Sequence, residues 1–245
     1  KGIVTSGTKA EITFHANANA GGARSSSIGF TSTKGKQSST VTAKVYQLGS
    51  IIECSIADFN KAEKGSTVYR LTGVITKVAN AKYGNFYIKD ATGETYVYGI
   101  GIMSDFVKNS LKVGNVVTLT GVKDIYNGTH ELKNATLETV KAVTKISAAE
   151  FLTKKDDENV YYMLEGTITE FAGQKNDLKT YGNFGLTDDS GSAYVYGLTT
   201  GWGGAKKLAG TLGLNFGDKI TIIGYRTSYD GKPQVGGAFL FSKGE

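Results

Sequence analysis

Two groups of aromatic residues have the type and spacing to do chemistry. Tyr96 and Tyr98 stand two apart, as do Tyr194 and Tyr196. In an extended strand that spacing puts both rings on one face. Tyr87, nine residues before Tyr96, joins the first pair if its strand lies alongside, and Tyr181 flanks the second. Rows of exposed rings hold nucleobases or the apolar faces of sugars, and each stacked base contributes about 1–3 kcal/mol. The only tryptophan, Trp202, follows the second pair in the glycine-rich run Gly201-Trp202-Gly203-Gly204. Such a run suits a binding loop on a rigid scaffold. The plainer alternative is that tyrosine is a good strand residue on a half-buried face, and that Trp202 folds over the core as a plug.

Residues for catalysis are sparse. The two histidines, His15 on an N-terminal strand and His130 in a late strand of the first repeat, have no Ser or Cys nucleophile beside them, so no nucleophile, base and orienting group assemble. Cys54, the single cysteine, reads as a small buried apolar residue at a domain junction, and the chain by itself can form neither an internal disulfide nor a cysteine-rich zinc site. Asp188 and Asp189 fall at a tight turn, where Asp serves local hydrogen bonds. A calcium site there is the weaker alternative, because the EF-hand spacing is absent. The expectation is therefore a protein that is not an enzyme and carries neither metal nor cofactor.

The elements that must position these rings are written twice. Tyr83-Gly84-Asn85-Phe86…Asp90…Gly93…Tyr96-Val97-Tyr98-Gly99 returns 98 residues later as Tyr181-Gly182-Asn183-Phe184…Asp188…Gly191…Tyr194-Val195-Tyr196-Gly197, with 10 of 17 positions identical. A period of about a hundred residues is too long for a solenoid turn and long enough for a complete domain with its own core. Each copy opens on a Ser-x-x-acid helix start, Ser55…Asp58 and Ser147…Glu150, in which the Ser satisfies a free backbone N–H and the acid reaches back. A long strand with an internal glycine follows (68–78 with Gly73; 160–171 with Gly166), the glycine marking a bulge or bend. Two strands joined by a tight Asp-x-x-Gly turn come next, 84–90 and 94–99 in the first copy. One or two helical turns are expected near 104–110 and 205–211, then two more strands, 116–123 with 130–139 and 219–226 with 233–241. Alternation places Phe86, Ile88 and Val97 in the core, with Phe184, Leu186 and Val195 as their equivalents, and puts Tyr87, Tyr96, Tyr98, Tyr194 and Tyr196 on the opposite face.

This element order is that of the oligonucleotide/oligosaccharide-binding (OB) fold, a five-stranded Greek-key barrel. The spelling resembles the tandem OB-like modules of secreted lipoproteins of Bacteroidetes over residues 55–245. Residues 10–14, 26–31 and 40–45 alternate as three strands, and that stretch resembles half of an immunoglobulin-like domain of the BACON type. The reading is an all-β chain with a partial β-sandwich segment (1–49) and two OB-like barrels (50–143 and 144–245). In OB folds the face carrying the tyrosines is the ligand platform. The resemblance thus implies that Tyr194, Tyr196, Trp202, Tyr181, Tyr87, Tyr96 and Tyr98 bind a single-stranded nucleic acid or a glycan. The second barrel is favoured, because its loops after strands one and three are each five residues longer than their counterparts.

Charge counts against a strongly basic groove. The chain carries a formal net charge of +6, but residues 141–245 hold twelve Lys/Arg against twelve Asp/Glu, whereas a backbone-tracking nucleic-acid groove should be basic where it binds. Thirty-three glycines, one proline and short Val/Ile/Tyr/Thr runs fit the all-β reading. No segment approaches the length of a membrane-spanning apolar helix. Lys1 opens in strand-like polar sequence with neither an initiator Met nor a signal peptide, which reads as a mature or truncated fragment. The expectation is a secreted or cell-surface protein, attached to a membrane only through a lipid anchor upstream. A structural or protein-interaction role in a surface assembly is the alternative.

Overall fold

A computed structural model describes residues 3–6, 9–17, 19, 24–47, 49–100 and 108–244. The chain divides into two compact units, residues 1–51 with 66–68, and the remainder.

The first unit contains two separate two-stranded antiparallel sheets. One pairs β1 (Ile3–Ser6) with β2 (Lys9–Ile12), and the other pairs β3 (Arg24–Lys34) with β4 (Gln37–Gln47) in unbroken register from Arg24↔Gln47 to Lys34↔Gln37. The second and third expected strands are longer than their sequence patterns, the first corresponds to β2, and β1 is a further strand that the sequence pattern did not indicate. His15 falls beyond the end of β2 and is exposed, outside the strand in which it was expected. Phe14 and Phe30 meet edge to face at 6.1 Å.

The second unit holds two closed five-stranded barrels. In the first, β6 (Val68–Asn80), β7 (Asn85–Lys89), β8 (Glu94–Ile100), β10 (Thr129–Lys141) and β9 (Val116–Tyr126) follow one another around the barrel, and β9 closes back onto β6. The pairing of β8 with β10 is parallel and that of β9 with β10 antiparallel. The short β5 (Ile51–Glu53) extends this sheet beside β6. The second barrel repeats the order with β12 (Asp157–Thr169), β13 (Phe184–Asp188), β14 (Gly191–Val195), β16 (Lys232–Lys243) and β15 (Lys219–Tyr229), edged by β11 (Val143–Lys145). This is the strand order of the OB barrel. The expected segment near 104–110 lies mostly outside the described residues; its counterpart is a single 3-10 turn, Ala209–Leu212.

Each barrel is filled as the alternation requires. Phe86, Ile88 and Val97 are fully buried beside Leu71, Ile75 and Leu119, and Phe184, Leu186 and Val195 lie among Leu164, Ile168 and Ile222. One end of each barrel is stopped by a helix, α1 (Ile56–Lys61) or α2 (Ala148–Leu152), whose Phe59 or Phe151 is buried. Ser55 and Ser147 cap these helices, accepting from the N–H of Asp58 at 3.1 Å and of Glu150 at 3.2 Å. The acidic side chains turn elsewhere: Asp58 accepts from the Ser55 hydroxyl, and Glu150 pairs with Lys154. The Asp of each hairpin takes the first helical N–H instead, Ile56 to Asp90 at 2.9 Å and Ala148 to Asp188 at 2.8 Å. The repeated Asp-x-x-Gly thus ties hairpin to helix. Burial disfavours charge at Asp188, but hydrogen bonds from Ser190 and from the N–H groups of Ala148, Ser190 and Gly191 outweigh it and hold the carboxyl below its ordinary range.

The barrels meet through an apolar seam of Val74 and Val116 from one, and Val143, Tyr161, Ile223 and Phe239 from the other.

Candidate functional site

The repeated Tyr-Gly-Asn-Phe and Tyr-Val-Tyr-Gly words join the start of the second barrel strand to the end of the third. At Gly182, in left-handed backbone (φ 67°), a Cβ would lie 2.7–2.8 Å from Leu198, and the Leu198 N–H donates to Gly182 O. Gly84 makes the same close approach to Ile100. Asn183 seals the joint, its Oδ1 accepting from the Gly197 N–H at 2.9 Å. The joint holds Tyr181 and Tyr196 at the mouth of a cleft.

That cleft, about 630 Å³, lies in the second barrel, within the usual range of ligand pockets, about 300–1,000 Å³. Five rings line it: Tyr181, Tyr196, Trp202, Tyr225 and Phe239. A second depression of about 400 Å³ shares Tyr181, Asn183, Tyr196 and Gln234 with it and adds Tyr194 and Tyr229. The cleft depends on Gly236 and Gly237 in β16. A Cβ at Gly237 (φ 54°) would come within 2.3 Å of Tyr225 Cε1, and one at Gly236 within 2.8 Å of the same ring. The Tyr225 ring therefore lies directly on bare backbone, where the β15–β16 register shifts.

The expected site residues take different places. Tyr196 is 55% exposed and Tyr181 is exposed at the rim. Tyr194 is 3% exposed, a correction to its expected place on an open platform. The longer loop before β13 folds down on it, with Phe171 5.6 Å from its ring and the Lys175 carbonyl accepting from its hydroxyl at 2.7 Å. Burial, with Tyr196 nearby, pushes the Tyr194 phenol up, so it stays a neutral donor. Trp202 is partly buried at the seam between the barrels. Its ring packs on Tyr161 at 5.9 Å and Phe239 at 5.8 Å, and its carbonyl accepts from the Ala91 N–H of the first barrel at 2.9 Å. One ring thus lines the cleft and also wedges the barrels.

In the first barrel Tyr87, Tyr96 and Tyr98 do form a ladder, with Tyr87 directly opposite Tyr96 at 4.9 Å and Tyr98 6.5 Å from Tyr96. Burial, with Tyr87 nearby, raises the Tyr96 phenol. Lys133 lies 6.0 Å from the Tyr98 ring, but its ammonium is committed to Asp124 at 2.8 Å. Lys133 and Lys64 together hold the Asp124 carboxyl well below the ordinary carboxylate range.

The cleft's lysines differ. Lys206 and Lys207 line it, and Lys175 and Lys207 lie 4.7 Å and 5.5 Å from the Tyr181 ring centroid. None of the three forms an ion pair among the described residues. Among the described residues no carboxylate lines the cleft or the adjoining depression.

The remaining candidates occupy structural positions. His130 is exposed on β10, 2.7 Å from Lys123 Nζ. Cys54 is half-buried against the first core, its thiol raised by burial and then by Asp58 and Asp90. Among the described residues, no three of His, Cys, Asp and Glu gather as a metal site.

Tyr225, Phe239, Lys206, Lys207 and the Gly236-Gly237 floor were not singled out from sequence. Aligning the repeats 103 residues apart exposes three of them, because Tyr225, Gly236 and Gly237 replace Val122, Lys133 and Asn134. The chain matches no protein-family model and no curated protein.

Proposed function

We propose that this chain is a binding protein without catalytic activity, acting outside the cytoplasm, and that its second barrel holds an extended ligand built of rings, a single-stranded nucleic acid or an oligosaccharide. The cleft carries this reading: five aromatic side chains and two unpaired lysines converge on a cavity of ligand size, at loops that a rigid barrel positions. The extracytoplasmic placement rests on the sequence resemblance. The site offers binding groups, rings, amides, hydroxyls and ammoniums, and no assembled nucleophile with a base.

A second reading, a structural or protein-interaction module, draws on Trp202, whose ring contacts Tyr161 and Phe239 in the seam. One experiment separates the two. The full chain is titrated with a dT decamer and with neutral and acidic oligosaccharides, following calorimetric heat and the emission of the only tryptophan. Saturable binding that weakens about tenfold or more in Tyr196→Ala supports the cleft. Absence of binding to every probe at millimolar concentration leaves the structural reading standing.

A further inference from the structure

The distribution of charge and stacking surface narrows the ligand. We infer that the cleft of the second barrel takes an acidic oligosaccharide, its carboxylate or sulfate groups held by Lys206 and Lys207 and a sugar ring laid on Tyr181 or Tyr196. This rests on the cleft being the ligand site.

The sign of the charge comes first. Lys175, Lys206 and Lys207 gather at Tyr181 and form no ion pair among the described residues, in a segment that holds as many acids as bases, twelve of each. Other lysines are spent on acids, Lys133 on Asp124, Lys145 on Glu165 and Lys243 on Asp218, whereas no carboxylate lines this cleft among the described residues. A cluster left unpaired beside a cavity favours an anion and disfavours a cation.

The shape then favours a glycan over a polynucleotide. Single-stranded nucleic acids lie along a row of exposed rings beside a row of cations. In the second barrel that row is interrupted. Gly185 stands where the first barrel has Tyr87, and a Cβ there would meet Thr169 Oγ1 at 2.8 Å. Tyr194 lies beneath Phe171 and Lys175. What remains is a half-open cleft with cations gathered at one point, which suits one or two sugar rings carrying a local negative charge. Gln234 and Thr227 on the lining supply an amide and a hydroxyl for ring hydroxyls.

The test is calorimetric titration of the full chain with hexasaccharides of polygalacturonate and chondroitin sulfate, with cellohexaose, and with a dT decamer, at about 50 and about 200 mM salt. The acidic glycans should bind at least about tenfold tighter than cellohexaose, with affinity falling as salt rises. The double substitution of Lys206→Gln and Lys207→Gln should remove about tenfold of that affinity without shifting the melting temperature. Equal affinity for neutral and acidic glycans, or a silent double variant, overturns the inference while leaving the cleft as a binding site. Tighter binding of the decamer than of either acidic glycan overturns it in favour of nucleic acid. No binding by any of the four overturns both this inference and the cleft itself.

Discussion

The two barrels share a frame down to its irregularities and differ where a ligand would touch. Both break the register of their last two strands at the same place, between Lys133 and Thr136 in one and opposite Ile223 and Tyr225 in the other. The first barrel fills that place with Val122, Lys133 and Asn134, and Lys133 goes to Asp124. The second fills it with a tyrosine on two glycines and leaves its nearby lysines unpaired. On the neighbouring strands the relation reverses, an open tyrosine ladder in the first barrel against a covered Tyr194 in the second. A duplicated fold can thus keep its core and joints while one copy moves its aromatic surface from an open strand face into a cleft.

The largest effect should come from filling the glycine floor. Gly237→Ala adds a Cβ 2.3 Å from Tyr225 in left-handed backbone. The strain and the displaced ring should together cost about 3 kcal/mol, measured by urea unfolding. In the first barrel the equivalent Asn134 already adopts φ 53°, so Asn134→Gly should change stability by less than about 1 kcal/mol. Similar costs at both positions would show that the floor is not special to the second barrel.

Trp202→Ala should cost about 2 kcal/mol, below the range for fully buried aromatic residues because the ring is only partly covered. Calorimetry should show a broader or more clearly split unfolding profile than that of the unsubstituted chain as the seam loosens. An unchanged melting profile together with lost ligand binding would make Trp202 a ligand contact alone.

Much of the fold was legible because local spelling and tertiary role coincide. The tyrosine, glycine and asparagine words recur because the same strand joint must be built twice, and alternation placed Phe86, Ile88, Val97 and their equivalents in the core. The site was less legible because its placement depends on contacts distant in sequence. Nothing near Tyr194 shows that Phe171 and Lys175 will cover it, since a loop's length is visible in sequence but its direction is not. Trp202 sits on a glycine-rich run that reads equally as a binding loop or as a plug over its own barrel, and Ala91 and Tyr161 draw it instead into the seam between barrels. Asp90 and Asp188 read as turn residues, and their second task, taking the first N–H of a helix some 34 and 40 residues away in sequence, needs the closed barrel.

The smallest effect concerns a pair of buried cations at equivalent positions. Arg226 in the second barrel reaches Asp156 at 2.6 Å. Lys123 in the first has no carboxylate partner among the described residues; its ammonium lies 4.4 Å from the Phe59 ring centroid and donates to Nδ1 of His130. Desolvation lowers its pKa to about 8, against about 10.4 for an unfolded lysine. Between those values the unfolded chain binds more protons than the folded one, so stability should rise as pH climbs from about 8 to about 10.4. Below pH 8 both states carry the charge, and the cost of burying it is present in full. Lys123→Met should therefore stabilise the protein by about 1 kcal/mol at pH 7 and flatten the alkaline rise in urea titrations. Arg226→Met should destabilise, because it breaks a pair that offsets its own burial and strands the Asp156 contact. Destabilisation by Lys123→Met at pH 7 would mean that the Phe59 and His130 contacts outweigh desolvation, and the two cations would then be equivalent in energy as well as in position.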